Sequence, residues 1–321
     1  MYPRFVDRVV ELEELVELAE RDFNPTLFIY GPEGCGKTRL LRELVARLRG
    51  RGFLAVYVDA QSTRSLEEVV EGPRELVEAL TEAVAGLAGP AGRLAALAAT
   101  RLSRKLAKRR VEGARLAVVV DDVARPVGLD VVEAYAKDLL NLVEELYGLG
   151  ASSVLAVAST GEGLSRSLLA RHSYVRLREL WNLGLEAAEE LMENLGAPRQ
   201  LRSEAWRLTG GNPRAIVELS RRGWRTDQWL KAVEASLKTL LDALPSKLKT
   251  LLAKAVEDVD SLIEEPELSK ALIEANLVTP IDRPCLGYTP SPDPDLGVGQ
   301  RYAWQLPAYK GTIAKLMGIE R

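Results

Sequence analysis

The chain has 321 residues, 47% hydrophobic and 28% charged, which excludes a wholly disordered chain and supplies core material for two or three domains at roughly 100–200 residues each. Its longest apolar runs, such as residues 116–120 and 154–158, fall far short of the ~20 residues of a membrane helix, and no secretory leader opens it, so a cytoplasmic protein without a membrane partner is expected. Only Cys35 and Cys285 are present, which speaks against a disulfide framework or a cysteine zinc site, and the net charge of −3 hides segregated blocks: a basic stretch at 101–115 with Glu112 as its single acid, a second basic region at 199–254 and an acidic one at 257–274.

In chain order, short β-rich apolar runs alternate with longer helical patterns over the first 180 residues, which predicts an α/β fold with a parallel sheet covered by helices. Residues 9–20 repeat apolar positions at three and four spacing, as an amphipathic helix does. A strand at 26–30, a helix at 38–48 and a strand at 54–59 follow. The Ala- and Leu-rich stretch 76–107 reads as helix, interrupted at Gly89, Pro90 and Gly92. Strands at 116–121, 154–159 and 174–177 complete a set expected to be buried on both faces.

After Leu180 the strand signals cease, and helices are predicted at 185–195, 203–209, 213–221 and 227–244. From Pro245 two helices, 247–256 and 266–275, precede a strand at 277–281, a Pro- and Asp-rich loop at 284–299 and a returning strand at 301–305, an order that suggests a winged helix. The expected domains are an α/β core at 1–180, a helical lid at 181–244 and a winged-helix-like domain at 245–321.

Tyr30 ends the first strand and runs into GPEGCGKT, which satisfies G-x-x-x-x-G-K-S/T at Gly31, Gly36, Lys37 and Thr38. With a buried strand before it and a helix opening at the lysine, such a P-loop converges backbone N–H groups and a helix N-terminus on one anion. Glycine permits the tight positive-φ loop, Lys37 reaches the β- and γ-phosphates as a point charge, and the Thr38 hydroxyl takes a position on Mg²⁺. ATP with Mg²⁺ is therefore the expected ligand, held by Gly31, Pro32, Glu33, Gly34, Cys35, Gly36, Lys37, Thr38 and Arg39. The sequence LAVVVDD at 116–122 carries Asp121 to the carboxyl end of a strand as the metal-binding acid, with Asp122 beyond it to orient or deprotonate the attacking water. Aspartate reaches less far than the commoner glutamate, so slow hydrolysis is expected. Cys35 reads as a small residue that fits the loop, although oxidation of its thiol would block nucleotide entry.

These elements resemble those of the archaeal STAND-type ATPases, relatives of the AAA+ class that includes the archaeal origin-recognition initiators. FVDRVVELEELVEL at 5–18 is similar to the family's F-V/F-G/D-R-x-x-E-L-x-x-L box, whose first apolar residues contact adenine, and the resemblance carries that role to Phe5 and Val6. SVLAVAST at 153–160 resembles the fourth strand, whose terminal polar residue senses the γ-phosphate, which makes Ser159 or Thr160 sensor 1. GGNPRAI at 210–216 is similar to the GGNP element of STAND lids and to the sensor 2 helix of initiators, so Pro213 and Arg214 join the nucleotide residues, with Arg214 on the γ-phosphate. Pro213 suits a first helical turn, whereas an arginine there opposes the helix dipole and needs another reason to be present. The resemblance also implies an arginine finger between the fourth and fifth strands, at Arg171 in preference to Arg166. Asp7 stands where Gly is common and Asp122 where Glu is common, departures that point away from fast, oligomeric hydrolysis.

The expected function is thus a magnesium-dependent ATPase whose nucleotide state sets the angle between core and lid and so switches the C-terminal domain. Two outputs are distinguished: action on double-stranded DNA, or a STAND-type signalling switch whose output is association with a protein partner or itself, without DNA. The basic stretch 101–115 serves phosphate neutralisation in the first and is a solvated helix face in the second. Glu264, Glu265, Glu267 and Glu274 would repel a DNA backbone, which leaves residues 199–254, or Arg283 and Arg301 of the wing, as DNA contacts. Trp304 and Tyr302 read as packing residues, and His172, the sole histidine, as a loop residue before a strand.

Overall fold

Valine- and leucine-rich segments that bury both faces build the sheet. The computed structural model describes residues 5–21, 26–84, 89–106, 108–161 and 163–319. Among them a sheet runs in the order β3-β2-β4-β5-β1-β6, from β1 (Thr26–Tyr30), β2 (Leu54–Asp59), β3 (Val70–Glu71), β4 (Arg115–Asp121), β5 (Ser153–Ser159) and β6 (Val175–Glu179). β1, β2, β4 and β5 pair in parallel, and β3 joins β2 antiparallel, so the core is an α/β sheet of mixed direction. β5 alone separates the strand that feeds the glycine loop from the strand that carries the acids. Register sets Asp59 beside Asp121 and Ile29 beside Ser159, which gathers the polar residues at the carboxyl edge of the strands.

Helix Lys37–Gly50 buries Leu40, Leu41, Leu44, Val45 and Leu48, the three-and-four spacing read from the sequence. Helix Val132–Gly148 covers the sheet with Tyr135, Leu139, Leu142, Val143 and Leu146 among its buried residues. These side chains each remove roughly 1.5–3 kcal/mol worth of apolar surface from water, and their number is what holds the layers together.

Several expectations are corrected. β6 lies at the sheet edge with only its last residue buried, because no strand among the described residues covers its outer side, so it is not buried on both faces. The two-residue strand β3 was not anticipated. The stretch 76–107 is not one interrupted helix: it contains Arg74–Val84, Ala91–Ala99 and a 3₁₀ turn at Leu102–Arg104, while residues 85–88 and 107 lie outside the described residues. The basic segment is likewise a short helix, Lys108–Val111, leading into β4, with Arg104 paired to Glu145 and Arg110 to Glu75.

The chain divides into two compact units, one taking Arg8–Tyr30 and Lys37–Arg178, the other Gly31–Gly36 and Glu179–Arg321 together with the residues before Arg8. The second unit is helical, with helices Leu185–Asn194, Arg199–Thr209, Pro213–Arg221, Thr226–Ala243, Ser246–Glu257 and Pro266–Glu274. Its small antiparallel sheet pairs β7 (Val278–Pro280) with β8 (Tyr302–Trp304). Asp260 holds the chain before β8 by accepting from the amides of Gln300, Arg301 and Tyr302 at 2.6, 2.9 and 2.9 Å. Arg283, one of the residues named above as a DNA contact, donates to the carbonyls of Gly299 and Pro290 within its own loop. A final helix, Pro307–Leu316, was not predicted, because its buried face includes Lys310 and Thr312 beside Ala308, Ile313 and Ala314 and so hides the apolar period. Among the described residues no helix is long and apolar enough to cross a membrane.

Candidate nucleotide site

In the sheet unit, β4 delivers Asp121 to a position only 3% exposed. Its Oδ2 accepts from the Tyr57 hydroxyl at 2.8 Å and its Oδ1 from the Ser159 hydroxyl at 2.5 Å. Burial, reinforced by the Asp121 carboxylate, holds the Tyr57 phenol well above its ordinary range, so Tyr57 remains a donor. Each Asp121 oxygen keeps a further lone pair, which fits a carboxylate that orients a metal-bound water. Ser159 thus anchors the acid, and its Oγ also accepts from the Asp122 amide at 2.9 Å. Thr160, the alternative sensor, donates its amide to Ile29 at 2.9 Å and shares a hydroxyl contact with Ser165.

Asp122 follows with φ 55°, the left-handed region that few residues other than Gly, Asn and Asp adopt readily. That backbone gives a physical reason for Asp where Glu is common. Its Oδ2 accepts from Gln61 Nε2 at 2.5 Å. Neither Tyr57 nor Gln61 was singled out from the sequence; Tyr57 lies within β2 and Gln61 two residues past its end, and only the parallel register brings them to β4.

The initiating box is explained in the same terms. Asp7 has φ 55°, which Gly or Asp satisfies, and Arg8 and Glu11 form an ion pair at 2.7 Å with both side chains 5% exposed. Thr38 and Arg39 are exposed on the first turn of helix Lys37–Gly50, where Arg39 pairs with Glu43 at 3.0 Å. Arg171 is exposed after helix Gly163–Leu169, whereas Arg166 lies over the Tyr30 ring at 5.5 Å, so of the two it is Arg166 that stands at the end of β1. His172 precedes β6, with Nε2 2.7 Å from Glu133.

In the other unit the glycine loop is tightly constrained. Gly31, Gly34 and Gly36 have φ 145°, 81° and 106°. A Cβ on Gly31 would stand 2.1 Å from the Leu180 carbonyl oxygen, and one on Gly34 2.6 Å from the Arg214 Cβ, so these two glycines are needed for space as well as for φ. Glu33 donates its amide to Gln305 Oε1 at 2.8 Å, and its carbonyl accepts from Asn212 Nδ2 at 2.9 Å. The Arg214 amide donates to the Gly34 carbonyl at 3.3 Å, and its guanidinium meets the Glu33 carboxylate at 2.5 Å. Arg214 at a helix start thus has a carboxylate partner that offsets the unfavourable dipole.

Each letter of GGNP has its own cause. Gly210, φ 56°, ends helix Arg199–Thr209 in the left-handed conformation, and Gly211, φ 76°, passes so close to the Leu183 carbonyl that a Cβ would lie 2.1 Å from its oxygen. Asn212 caps the next helix by accepting from the Ala215 amide at 3.1 Å, and Pro213 fills the first turn. Asn212 Nδ2 also donates to Asn182 Oδ1 at 2.9 Å, and Asn182 to the Gln305 carbonyl at 3.2 Å, which closes a buried amide network around the loop. Asn182 and Gln305 were missed from the sequence; no local pattern marks them. Val6 joins the apolar cluster of this unit with Leu183, Leu191 and Ile216.

The glycine loop, the strand-end acids and the GGNP element all fall within residues 5–219, which match the model of a family described as an ATPase domain predominantly from Archaea. The chain belongs to that family. It is an ATPase, and ATP is the nucleotide this membership implies. No curated protein matches this ATPase. Among solved structures it is similar to a replication initiator DnaA bound to AMPPCP and single-stranded DNA, at 17% identity over 73% of this chain and 66% of that one, with a TM-score of 0.41. It is also similar to AMPPCP-bound DnaA from Aquifex aeolicus, at 18% identity over 74% and 67%, TM-score 0.41, and to C. elegans PCH-2, at 17% over 65% and 58%, TM-score 0.37. The chain spans about two thirds of the length of the two DnaA chains. The family match ends within helix Pro213–Arg221.

Proposed function

We propose that this ATPase is a magnesium-dependent switch that reads its nucleotide state out through the unit Glu179–Arg321. Gly31 to Thr38 would cradle the triphosphate, with Lys37 supplying charge, and Asp121 would hold Mg²⁺ through water in concert with Thr38. The bound metal would neutralise charge on the β- and γ-phosphate oxygens. Asp122, steadied by Gln61, orients the attacking water, and Ser159 keeps both acids in register. Phe5 and Val6 serve the adenine, Arg214 the γ-phosphate once it leaves Glu33, and Arg171 a neighbouring subunit. Residues 181–244 act as the lid and 245–321 as a winged-helix-like output domain.

One observation carries the coupling: the loop peptide at Glu33 is bonded on its amide to Gln305 and on its carbonyl to Asn212, residues from two distant parts of the same unit. A loop that rearranges around phosphates must renegotiate both bonds. All the tryptophans, Trp181, Trp206, Trp224, Trp229 and Trp304, lie in this unit, so intrinsic fluorescence reports on it alone. ATP should change the emission of the wild-type protein, and Gln305→Leu should abolish most of that change while weakening ATP binding by no more than about fivefold, the worth of one neutral hydrogen bond. An unchanged fluorescence response in Gln305→Leu would refute the coupling.

The output is assigned to double-stranded DNA, through the basic residues of 199–254. The second reading, protein association, is favoured by the acidic face around helix Pro266–Glu274, where Glu267 pairs with Lys247 and Glu274 with Lys270. Gel shift with duplex DNA over a salt series separates them: binding that falls with salt supports the first, and none at low salt leaves the second.

A further inference from the structure

Asp121 ends β4, and Thr38 stands on the first turn of helix Lys37–Gly50, so the two groups proposed for the metal come from different elements of the sheet unit. Side chains between that helix and the sheet set their spacing. Tyr57 of β2 is one of these and touches both sides. It is buried, its hydroxyl donates to Asp121 Oδ2 at 2.8 Å, and the Arg42 guanidinium lies over its ring, 4.8 Å from the centroid. Arg42 is four residues beyond Thr38 in one helix, which puts the two a single turn apart on the same exposed face.

This tie is anchored at each end. Arg42 pairs with Glu71 at 3.2 Å, and Glu71 stands opposite Tyr57 in the register of β2 and β3, so the guanidinium spans neighbouring positions of the sheet. Asp121 takes a donor on each oxygen, Tyr57 on Oδ2 and Ser159 on Oδ1. A carboxylate held on both oxygens cannot turn about its Cβ–Cγ bond without losing one of those bonds. Held on one oxygen alone, it can. Partners that orient a metal ligand in this way typically contribute roughly 10–100-fold to metal affinity. The two donors also differ in what else they serve. Ser159 accepts from the Asp122 amide at 2.9 Å, so its loss would disturb both acids, whereas the single proton of the Tyr57 hydroxyl goes to Asp121.

On the reading of Asp121 and Thr38 as the groups that flank Mg²⁺, we propose that Tyr57 is the positioning residue of the metal site. Its hydroxyl sets the rotation of the Asp121 carboxylate, and its ring seats Arg42 and with it the helix turn that carries Thr38. Tyr57 acts through those residues and not on the phosphates, so its effect should be confined to what the metal adds to nucleotide binding.

That contribution is the factor by which Mg²⁺ tightens ATP binding, measured by calorimetry on the full chain with Mg²⁺ and with EDTA. Tyr57→Phe keeps the ring and removes the hydroxyl. The factor should fall about tenfold in this variant, while ATP affinity in EDTA stays within about twofold of the wild type. Asp121→Asn serves as the reference and should erase the magnesium gain. A wild-type gain in Tyr57→Phe beside a lost gain in Asp121→Asn overturns the positioning role and leaves the metal reading standing. Tyr57→Phe losing as much affinity in EDTA as in Mg²⁺ overturns it too, since general damage to the site would do the same. A wild-type gain in both variants, or none in the wild type, overturns the metal reading and the proposal with it. Should Tyr57→Phe fail to fold, Arg42→Leu on the exposed helix face decides: a gain about threefold smaller supports the tie, and an unchanged gain overturns it.

Discussion

Lys37→Ala is expected to weaken ATP binding by about 2–3 kcal/mol, on the order of a hundredfold, because it removes the one side-chain cation of the loop that can reach the terminal phosphates. The effect should be visible in calorimetry with ATP and magnesium and should carry turnover down with it. Lys37 is the first residue of helix Lys37–Gly50, whose buried face begins at Leu40, so the substitution leaves the packing untouched. Alanine is moreover the strongest helix former, so thermal stability without nucleotide should stay within about 0.5 kcal/mol of the wild type. A variant that unfolds, or one that binds ATP normally, would count against the loop as the triphosphate cradle.

Asp122→Asn separates binding from chemistry. Asparagine tolerates the left-handed backbone at φ 55° as well as aspartate does, and its carbonyl oxygen can still accept from Gln61 Nε2. The substitution therefore removes charge and basicity with little change of shape. Turnover should fall by about 10²–10⁴, the range of a lost general base, while the Kd for ATP stays within a factor of about three. Single-turnover kinetics with the purified chain decide it. Equal turnover in Asp122→Asn and the wild type would move the water-activating role away from this residue, and a matching loss of ATP affinity would show that Asp122 serves the ligand rather than the reaction.

Much of this site could be read from order along the chain. A glycine loop between a buried strand and a helix, and an acid at the end of an apolar strand, are local patterns whose causes are local: φ freedom, helix termini and alternation of burial. The GGNP element is of the same kind, since each of its residues answers to a turn or a cap within a few positions. The partners of these groups were not legible. Tyr57 meets Asp121 across 64 positions and Glu33 meets Gln305 across 272. An ordinary tyrosine in a strand and a glutamine after one carry no mark of what they will face.

The edge strand and the last helix show the same limit. Val175–Glu179, read as a strand buried on both faces, alternates Val175 and Leu177 with Arg176 and Arg178, and its place beside β1 at the end of the strand order leaves it half exposed. Pro307–Leu316 has polar residues on its buried face because Lys310 finds a carbonyl there, a contact that composition does not announce.

Sequence alone determined the α/β class, the glycine loop, the strand-end acids and the helical character of the second half, because each depends on backbone preference and burial over a short window. Tertiary structure alone decided that Asp121 is held by a tyrosine and a serine, that Arg214 rests on Glu33, and that the loop is tied to residues near the C-terminus. Hydrogen bonds of that sort need two groups within about 3 Å, and it is the packing of whole elements that sets such distances.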